Sequence, residues 1–190
     1  MFARTQRLLL RPGWPEDAAA LHAAIADEGI VRNLAKAPWP YTLADAHAFL
    51  TRERDPRLPA FLIVKRTNGT PHLVGGCGIG VQEDGGLELG YWIARRYWGL
   101  GFATEAAGAV MRIARAAGLR NIGCSHFLDN PASGKVARKL GFRPVGRPRQ
   151  RYGLGRGRAD LCQVYEDTGE GEMRDDPAME LYADVDCLAA

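Results

Sequence analysis

Two glycines and a carboxylate carry the strongest chemical signal in this chain. Glu88 opens an apolar, aromatic run, Leu-Gly-Tyr-Trp-Ile, that leads into the turn Trp98-Gly99-Leu100-Gly101 and on to Phe102-Ala103-Thr104-Glu105. Such a turn, placed directly before an Ala-rich helix, aims several backbone N–H groups at one point, where the positive end of the helix dipole adds its field. Gly99 and Gly101 let the backbone approach a ligand with no Cβ in the way. The chemistry is anion binding, and a pyrophosphate is the best match. The turn is not a Walker loop, because no Gly-Lys-Ser/Thr follows, and it lacks the third glycine of the dinucleotide fingerprint. A tight turn with no ligand is the plain alternative.

A second constellation is weaker. Cys124 and His126 are two apart on one strand, so their side chains share a face. With Asp129 nearby they invite a nucleophilic reading, which would mean a covalent enzyme intermediate and ping-pong kinetics. A buried strand cysteine and a partly exposed histidine explain the same residues. The four cysteines, Cys77, Cys124, Cys162 and Cys187, show no CxxC or other metal-like spacing, so no metal is expected.

The elements that must position these residues read in order. Residues 7–11 form a first strand, ended by Pro12-Gly13. Pro15 starts a helix with Glu16 and Asp17 in its first turn. Thr42 is an N-cap, and Asp45 three residues on makes a near capping box. Strands follow at 61–65, 73–81 and 87–93, separated by Asn68-Gly69 and Asp84-Gly85-Gly86, and form an antiparallel meander. The helix from Phe102 to about Ala117 places Ala103, Ala106, Ala107, Val110, Ala114 and Ala117 on one face, with Gly118 as its C′ residue. A strand at 121–127 precedes a helix that Asn130 caps and Pro131 opens. Gly141 ends it, and a strand begins at 142–145. Residues 161–165 and 179–183 are each a candidate last strand, or pair with each other. The order is α+β, a mixed and mostly antiparallel sheet flanked by helices.

Composition narrows the class. The chain has 190 residues, enough for one domain with a substantial core. Its 46% hydrophobic and 25% charged residues are ordinary for a globular protein. The net charge of +3 and the lack of an aromatic platform argue against nucleic acid. No apolar run is long enough to span a membrane. The N-terminus lacks a long apolar h-region, which favours a cytoplasmic protein with reduced thiols. Charge is uneven: Arg143, Arg147, Arg149, Arg151, Arg156 and Arg158 crowd one segment, which either borders a substrate and attracts an acidic peptide or anionic molecule, or is a solvated loop face. Residues 166–186 are acidic.

Arg96, Gly99 and Gly101 at a helix start resemble motif A of the GNAT superfamily of acetyl-CoA-dependent N-acetyltransferases. The longer strings, Gly90-Tyr91-Trp92-Ile93 and Tyr97 to Ala106, are similar to its RimJ/RimL branch. Arg7 to Pro12, Pro38 to Phe49, and Asn130-Pro131-Ala132-Ser133 to Phe142 add to the resemblance, which covers about residues 7–145 of a single 1–190 domain. Residues 168–190 are a C-terminal extension read as a final strand, a homodimer contact or a loose tail.

The resemblance implies a GNAT-like sheet splayed to admit acetyl-CoA. The pyrophosphate would lie on the turn from Trp98 through Gly99, Gly101 and Phe102 to Ala103, with Arg96 beside it. The strand ending at Ile93 would pair with the acetyl-pantetheine arm. Asn130 matches a cofactor-contacting position, with a pure N-cap as its alternative, and Lys135, Arg138 and Lys139 could meet the nucleotide end, although Arg138 and Lys139 are equally ordinary as a solvated face. The acceptor would be a primary amine, on a protein N-terminus or a small molecule. An ammonium must lose a proton before it attacks a thioester, and Glu88 stands where several members of the family carry a glutamate base, with an ordinary strand-end surface carboxylate as its alternative. Ser133 is the implied donor to the departing thiolate, with Tyr152 as an alternative. A non-catalytic CoA-binding module of the same fold is the competing reading.

Overall fold

The computed structural model describes residues 1–169 and 179–182. Strands β1 (Phe2–Arg4) and β2 (Leu8–Arg11) lead through a short 3-10 turn into α1 (Ala18–Ile25), α2 (Glu28–Val31) and α3 (Leu43–Thr51). The meander follows as β3 (Ala60–Lys65), β4 (His72–Val81) and β5 (Leu87–Ile93). Helix α4 (Phe102–Ala116) crosses to β6 (Ile122–Phe127), and α5 (Pro131–Lys139) to β7 (Phe142–Gly153). β8 (Arg158–Asp167) completes a long hairpin, and β9 (Glu180–Tyr182) closes the far edge. The sheet order is β7-β8-β6-β5-β4-β3-β2-β1-β9.

The expected capping box is present: Thr42 Oγ1 accepts from Asp45 N at 3.2 Å and Asp45 Oδ2 accepts from Thr42 N at 2.8 Å. The last strands do not pair with each other. β8 lies between β6 and β7, and β9 pairs with β1, Phe2 opposite Tyr182. The strand expected at 7–11 is β2, and β1 precedes it; Thr5 turns the chain between them, its Oγ1 accepting from Leu8 N at 3.1 Å. The proposed tail roles fall on 168–190, of which 170–178 and 183–190, with Cys187, lie outside the described residues.

Side chains alternate between two cores. Phe61 and Ile63 of β3 join the cluster under α4, whose Ala106, Ala107, Ala109 and Ala114 are fully buried. Leu62 joins Leu21, Ile25, Ala46 and Leu50 under α1 and α3. The same period-2 rule divides β5: Leu89 and Ile93 face α4, and Trp92 faces α1 and α3.

One interface departs from the antiparallel rule. β5 and β6 run parallel, as a crossover through α4 requires. Their ladder has only two registered pairs, Leu87 opposite Ile122 and Glu88 opposite Gly123. β4 holds β5 along its other edge, and β8 holds β6 through Phe127. Beyond Glu88 the two inner edges separate, leaving a wedge in the middle of the sheet that connects its two faces.

Candidate functional site

The cradle is built by two residues that only glycine adopts freely. Gly99 has φ +78° and Gly101 φ +81°, both left-handed. Gly101 is the N-cap of α4 and supplies no side-chain cap, so the first-turn N–H groups have no partner inside the helix. Glu105 also sits in that first turn, where its charge would oppose an anion. The fold cancels it. Arg7 Nε donates to Glu105 Oε2 at 2.7 Å, Thr5 Oγ1 donates to Oε1 at 2.6 Å, and Arg7 N donates to Oε1 at 2.9 Å. Arg7 Nη1 also donates to the Leu100 carbonyl at 2.8 Å, and its guanidinium lies 4.7 Å over the Phe102 ring. Arg7 therefore fixes the turn from outside.

The other side of the turn is aromatic. Trp98 Nε1 donates to the Ile93 carbonyl at 2.6 Å, tying the strand end to the cradle. Arg95 stacks 4.4 Å over Trp98, and Arg96 lies 4.8 Å over the Tyr97 ring. Arg96 does not line the cavity, whereas Ile93, Trp98, Gly99, Gly101, Phe102 and Ala103 do.

α5 forms the opposite wall. A Cβ on Gly134 would fall 2.5 Å from His126 Nε2, so the helix rests directly on β6. Asn130 starts α5, yet its side chain makes no cap bond and has no hydrogen bond among the described residues. Ser133, Lys135 and Lys139 line the cavity with it. Arg138 turns away and donates to the Tyr165 hydroxyl at 2.9 Å. Ser133 Oγ is 2.7 Å from the Tyr91 hydroxyl, which also donates to the Ser133 carbonyl at 3.0 Å. Burial pushes the Tyr91 phenol up, so it stays protonated. Tyr91 was not singled out by sequence; only its position two residues before Ile93 placed it on the α4 face.

Glu88 stands where the wedge closes. Arg151 of β7 meets it with two parallel bonds, Nη1 to Oε1 at 2.5 Å and Nη2 to Oε2 at 2.8 Å. Ser125 Oγ donates to Oε1 at 2.5 Å, and Arg151 Nη1 also reaches Ser125 Oγ. Burial works against the carboxylate, but the bonds from Arg151 and Ser125 outweigh it and hold the Glu88 carboxyl below its usual value. Lys36, which donates to the Val81 carbonyl at 3.3 Å, adds a second positive field. Sequence reasoning placed Arg151 only within an arginine cluster.

The remaining candidates settle elsewhere. Burial raises the Cys124 thiol to about 12, far from the thiolate a nucleophile needs. His126 has both ring nitrogens engaged, Nδ1 with the Phe127 carbonyl at 2.8 Å and Nε2 with the Tyr165 hydroxyl at 3.2 Å. Asp129 pairs with Arg32 at 2.6 Å and Arg156 at 2.7 Å. Tyr152 is 58% exposed and outside the cavity lining. Among the described residues no group of three or more His, Cys, Asp and Glu side chains could hold a metal, and no helix is long and apolar enough to cross a membrane.

These walls enclose about 410 Å³, running from the Gly99–Gly101 turn to Glu88 and Arg151. Ile30, Asn33, Leu34 and Ala35 line its other face. The cavity is thus lined from both faces of the sheet, on either side of the wedge.

The chain is similar to known proteins in sequence and in fold. The acetyltransferase (GNAT) domain family matches residues 7–143. The uncharacterized N-acetyltransferase YoaA of Bacillus subtilis is 31% identical over 154 residues, spanning 77% of this chain and 85% of that protein. The GNAT-family acetyltransferase from Bacillus anthracis superposes with a TM-score of 0.73 at 22% identity, covering 87% of this chain and 97% of the other. RimL, a ribosomal alpha-N-protein acetyltransferase in complex with coenzyme A, superposes at 0.67 and 20% identity, covering 85% and 94%.

Proposed function

The chain belongs to the GNAT acetyltransferase family, and from that premise we propose that it moves an acetyl group from acetyl-CoA directly to a primary amine within a ternary complex. As a family member it is an acyltransferase; the donor arrangement, the acceptor and the residue roles are the proposal. The observation that carries it is the continuous cavity joining an unspent anion cradle to an ionised carboxylate at the wedge.

The residues fit acetyl-CoA. The turn from Trp98 to Ala103 would take the pyrophosphate on backbone N–H groups. The unpartnered Asn130 side chain and Lys135 would contact the nucleotide half, with Lys139 beside them. The open edge of β5 up to Ile93 would take the pantetheine arm. Bound there, acetyl-CoA supplies an activated thioester carbonyl.

Glu88 accepts the proton that the amine must shed. Its lowered pKa keeps it ionised near neutral pH, ready to accept but modest in strength. Ser133 Oγ donates a hydrogen bond to the departing thiolate, which takes its proton from solvent, and the Tyr91 hydroxyl 2.7 Å away holds Ser133 in place. Direct transfer is favoured because Cys124, the one thiol considered as a nucleophile, is held protonated by burial.

The RimJ/RimL placement and a protein N-terminal acceptor belong to the same proposal, supported by the Gly90–Ile93 and Tyr97–Ala106 strings. So does a cytoplasmic setting, supported by the free buried thiols Cys77, Cys124 and Cys162. The whole 1–190 chain is read as one acetyltransferase domain. The test is release of free thiol from acetyl-CoA with a panel of free-N-terminus peptides, polyamines and aminoglycosides. Amine-dependent release is expected. Binding of acetyl-CoA without release for any amine would contradict the enzymatic reading.

A further inference from the structure

The carboxylate proposed as proton acceptor has both oxygens engaged. Glu88 Oε1 accepts from both Ser125 and Arg151, and Oε2 accepts from Arg151 at 2.8 Å. The pair is largely withdrawn from water, with side chains 19% and 26% exposed, and both residues line the cavity. Oε2 accepts one bond only, so an acceptor ammonium that binds there either crowds beside the guanidinium, cation against cation, or displaces it.

Displacement has a cost. Breaking a buried ion pair leaves the other charge uncompensated, and removing one partner costs far more than the pair itself contributes. The surroundings offer Arg151 no other anion. The charged or titratable groups facing the pair are Lys36 from the loop after α2, Cys124 on β6 and Cys162 on β8, none a carboxylate. Asp160, the cross-strand neighbour of Arg151, is committed to Arg156 at 2.8 Å and Arg158 at 3.1 Å. Glu88 and Arg151 thus form a single cation–anion couple in a site that otherwise carries positive charge.

We infer that the acceptor is zwitterionic in its local chemistry: it brings an amine for Glu88 and a nearby carboxylate or phosphate for Arg151, and inserts between the two. Such an acceptor leaves neither charge orphaned. An amine with no acidic neighbour strands Arg151. The planar guanidinium suits this role, because it can turn its parallel N–H pair from one carboxylate to another. Arg151 is then a specificity-determining residue, on a strand whose neighbours Arg147 and Arg149 are exposed at the sheet edge. This inference rests on the acetyltransferase reading above.

The experiment compares matched acceptors: Asp- against Asn-initiated tripeptide amides, Ala-Glu-Gly against Ala-Gln-Gly amides, and 2-aminoethyl phosphate against ethylamine. The readout is kcat/KM for free-thiol release. The wild-type protein is expected to favour the acidic member by at least about tenfold in one or more pairs, and Arg151→Gln to bring the ratio near one, with acetyl-CoA KM unchanged. Arg151→Lys, which keeps the charge but not the parallel pair, should fall between, and it decides the matter if Arg151→Gln does not fold. Equal rates within every pair, or a preference untouched by Arg151→Gln and Arg151→Lys, would overturn the inference. So would a preference lost in Arg147→Gln/Arg149→Gln instead, which marks surface steering. No release with any amine would remove the acetyltransferase reading itself, and this one with it.

Discussion

The hydroxyls of Tyr91 and Ser133 stand 2.7 Å apart, joining the free edge of β5 to the first turn of α5 across the wedge. If Ser133 steadies the departing sulfur and Tyr91 positions Ser133, the two substitutions separate. Ser133→Ala should lower kcat on the order of a hundredfold, and Tyr91→Phe by less, with acetyl-CoA affinity nearly intact in both. Steady-state thiol release checks this. A large loss in Tyr91→Phe with none in Ser133→Ala would reverse the two roles.

Asn130 offers a clean separation of stability from binding. An N-cap asparagine replaced by alanine ordinarily costs about 1 kcal/mol. Here the side chain makes no cap bond. Asn130→Ala should therefore leave stability within about 0.5 kcal/mol of wild type. It should weaken acetyl-CoA binding by roughly tenfold, the worth of one lost hydrogen bond. Denaturant melts and titration calorimetry measure the two quantities. A destabilised variant with normal affinity would return Asn130 to a purely structural role.

Gly101→Val tests the cradle. Valine at φ +81° is strained, by roughly 1–2 kcal/mol, and its Cβ would sit 3.4 Å from Arg7 Nη2. The variant should melt a few degrees lower but remain folded. Its affinity for acetyl-CoA should drop sharply, because the side chain closes the backbone approach. Arg7→Ala should mimic part of this by releasing Leu100 and leaving Glu105 charged at the helix start. Normal affinity in a folded Gly101→Val protein would contradict the cradle.

Glu88 makes a pH prediction with a definite sign. Its folded pKa lies below the ordinary value of 4.5, so its contribution to stability is fully present above that value. The contribution is lost as pH falls through the lower folded value. Glu88→Gln keeps an oxygen for Arg151 and should fold. Its melting temperature should change less than that of wild type between pH 5 and the acid transition, and its turnover should be low at every pH. Parallel acid profiles for the two proteins would mean that the pair does not form in solution.

Much of this was legible in the residues, for local reasons. The left-handed turn was readable because glycine spacing before an Ala-rich helix is a local pattern. The Thr42–Asp45 box spans three residues, and Gly118 follows its helix directly. What escaped notice depends on distant pairing. Arg151 meets Glu88 across 63 residues, and nothing in either neighbourhood marks the other. Arg7 braces Leu100 and Glu105 from 93 and 98 residues away. The partner of β9 is β1 at the opposite end of the chain, so no local signal could choose it over β8. Arg96 matches a motif position, yet its side chain turns onto Tyr97, a choice set by packing.

The central claim is that the Gly99–Gly101 cradle and the wedge hold acetyl-CoA. Calorimetric titration of the protein with acetyl-CoA, with CoA and ATP as comparisons, tests it most directly. The account predicts saturable acetyl-CoA binding, weak ATP binding, loss of affinity in Gly101→Val and little change in Glu88→Gln. Absence of acetyl-CoA binding by the folded wild-type protein would contradict it.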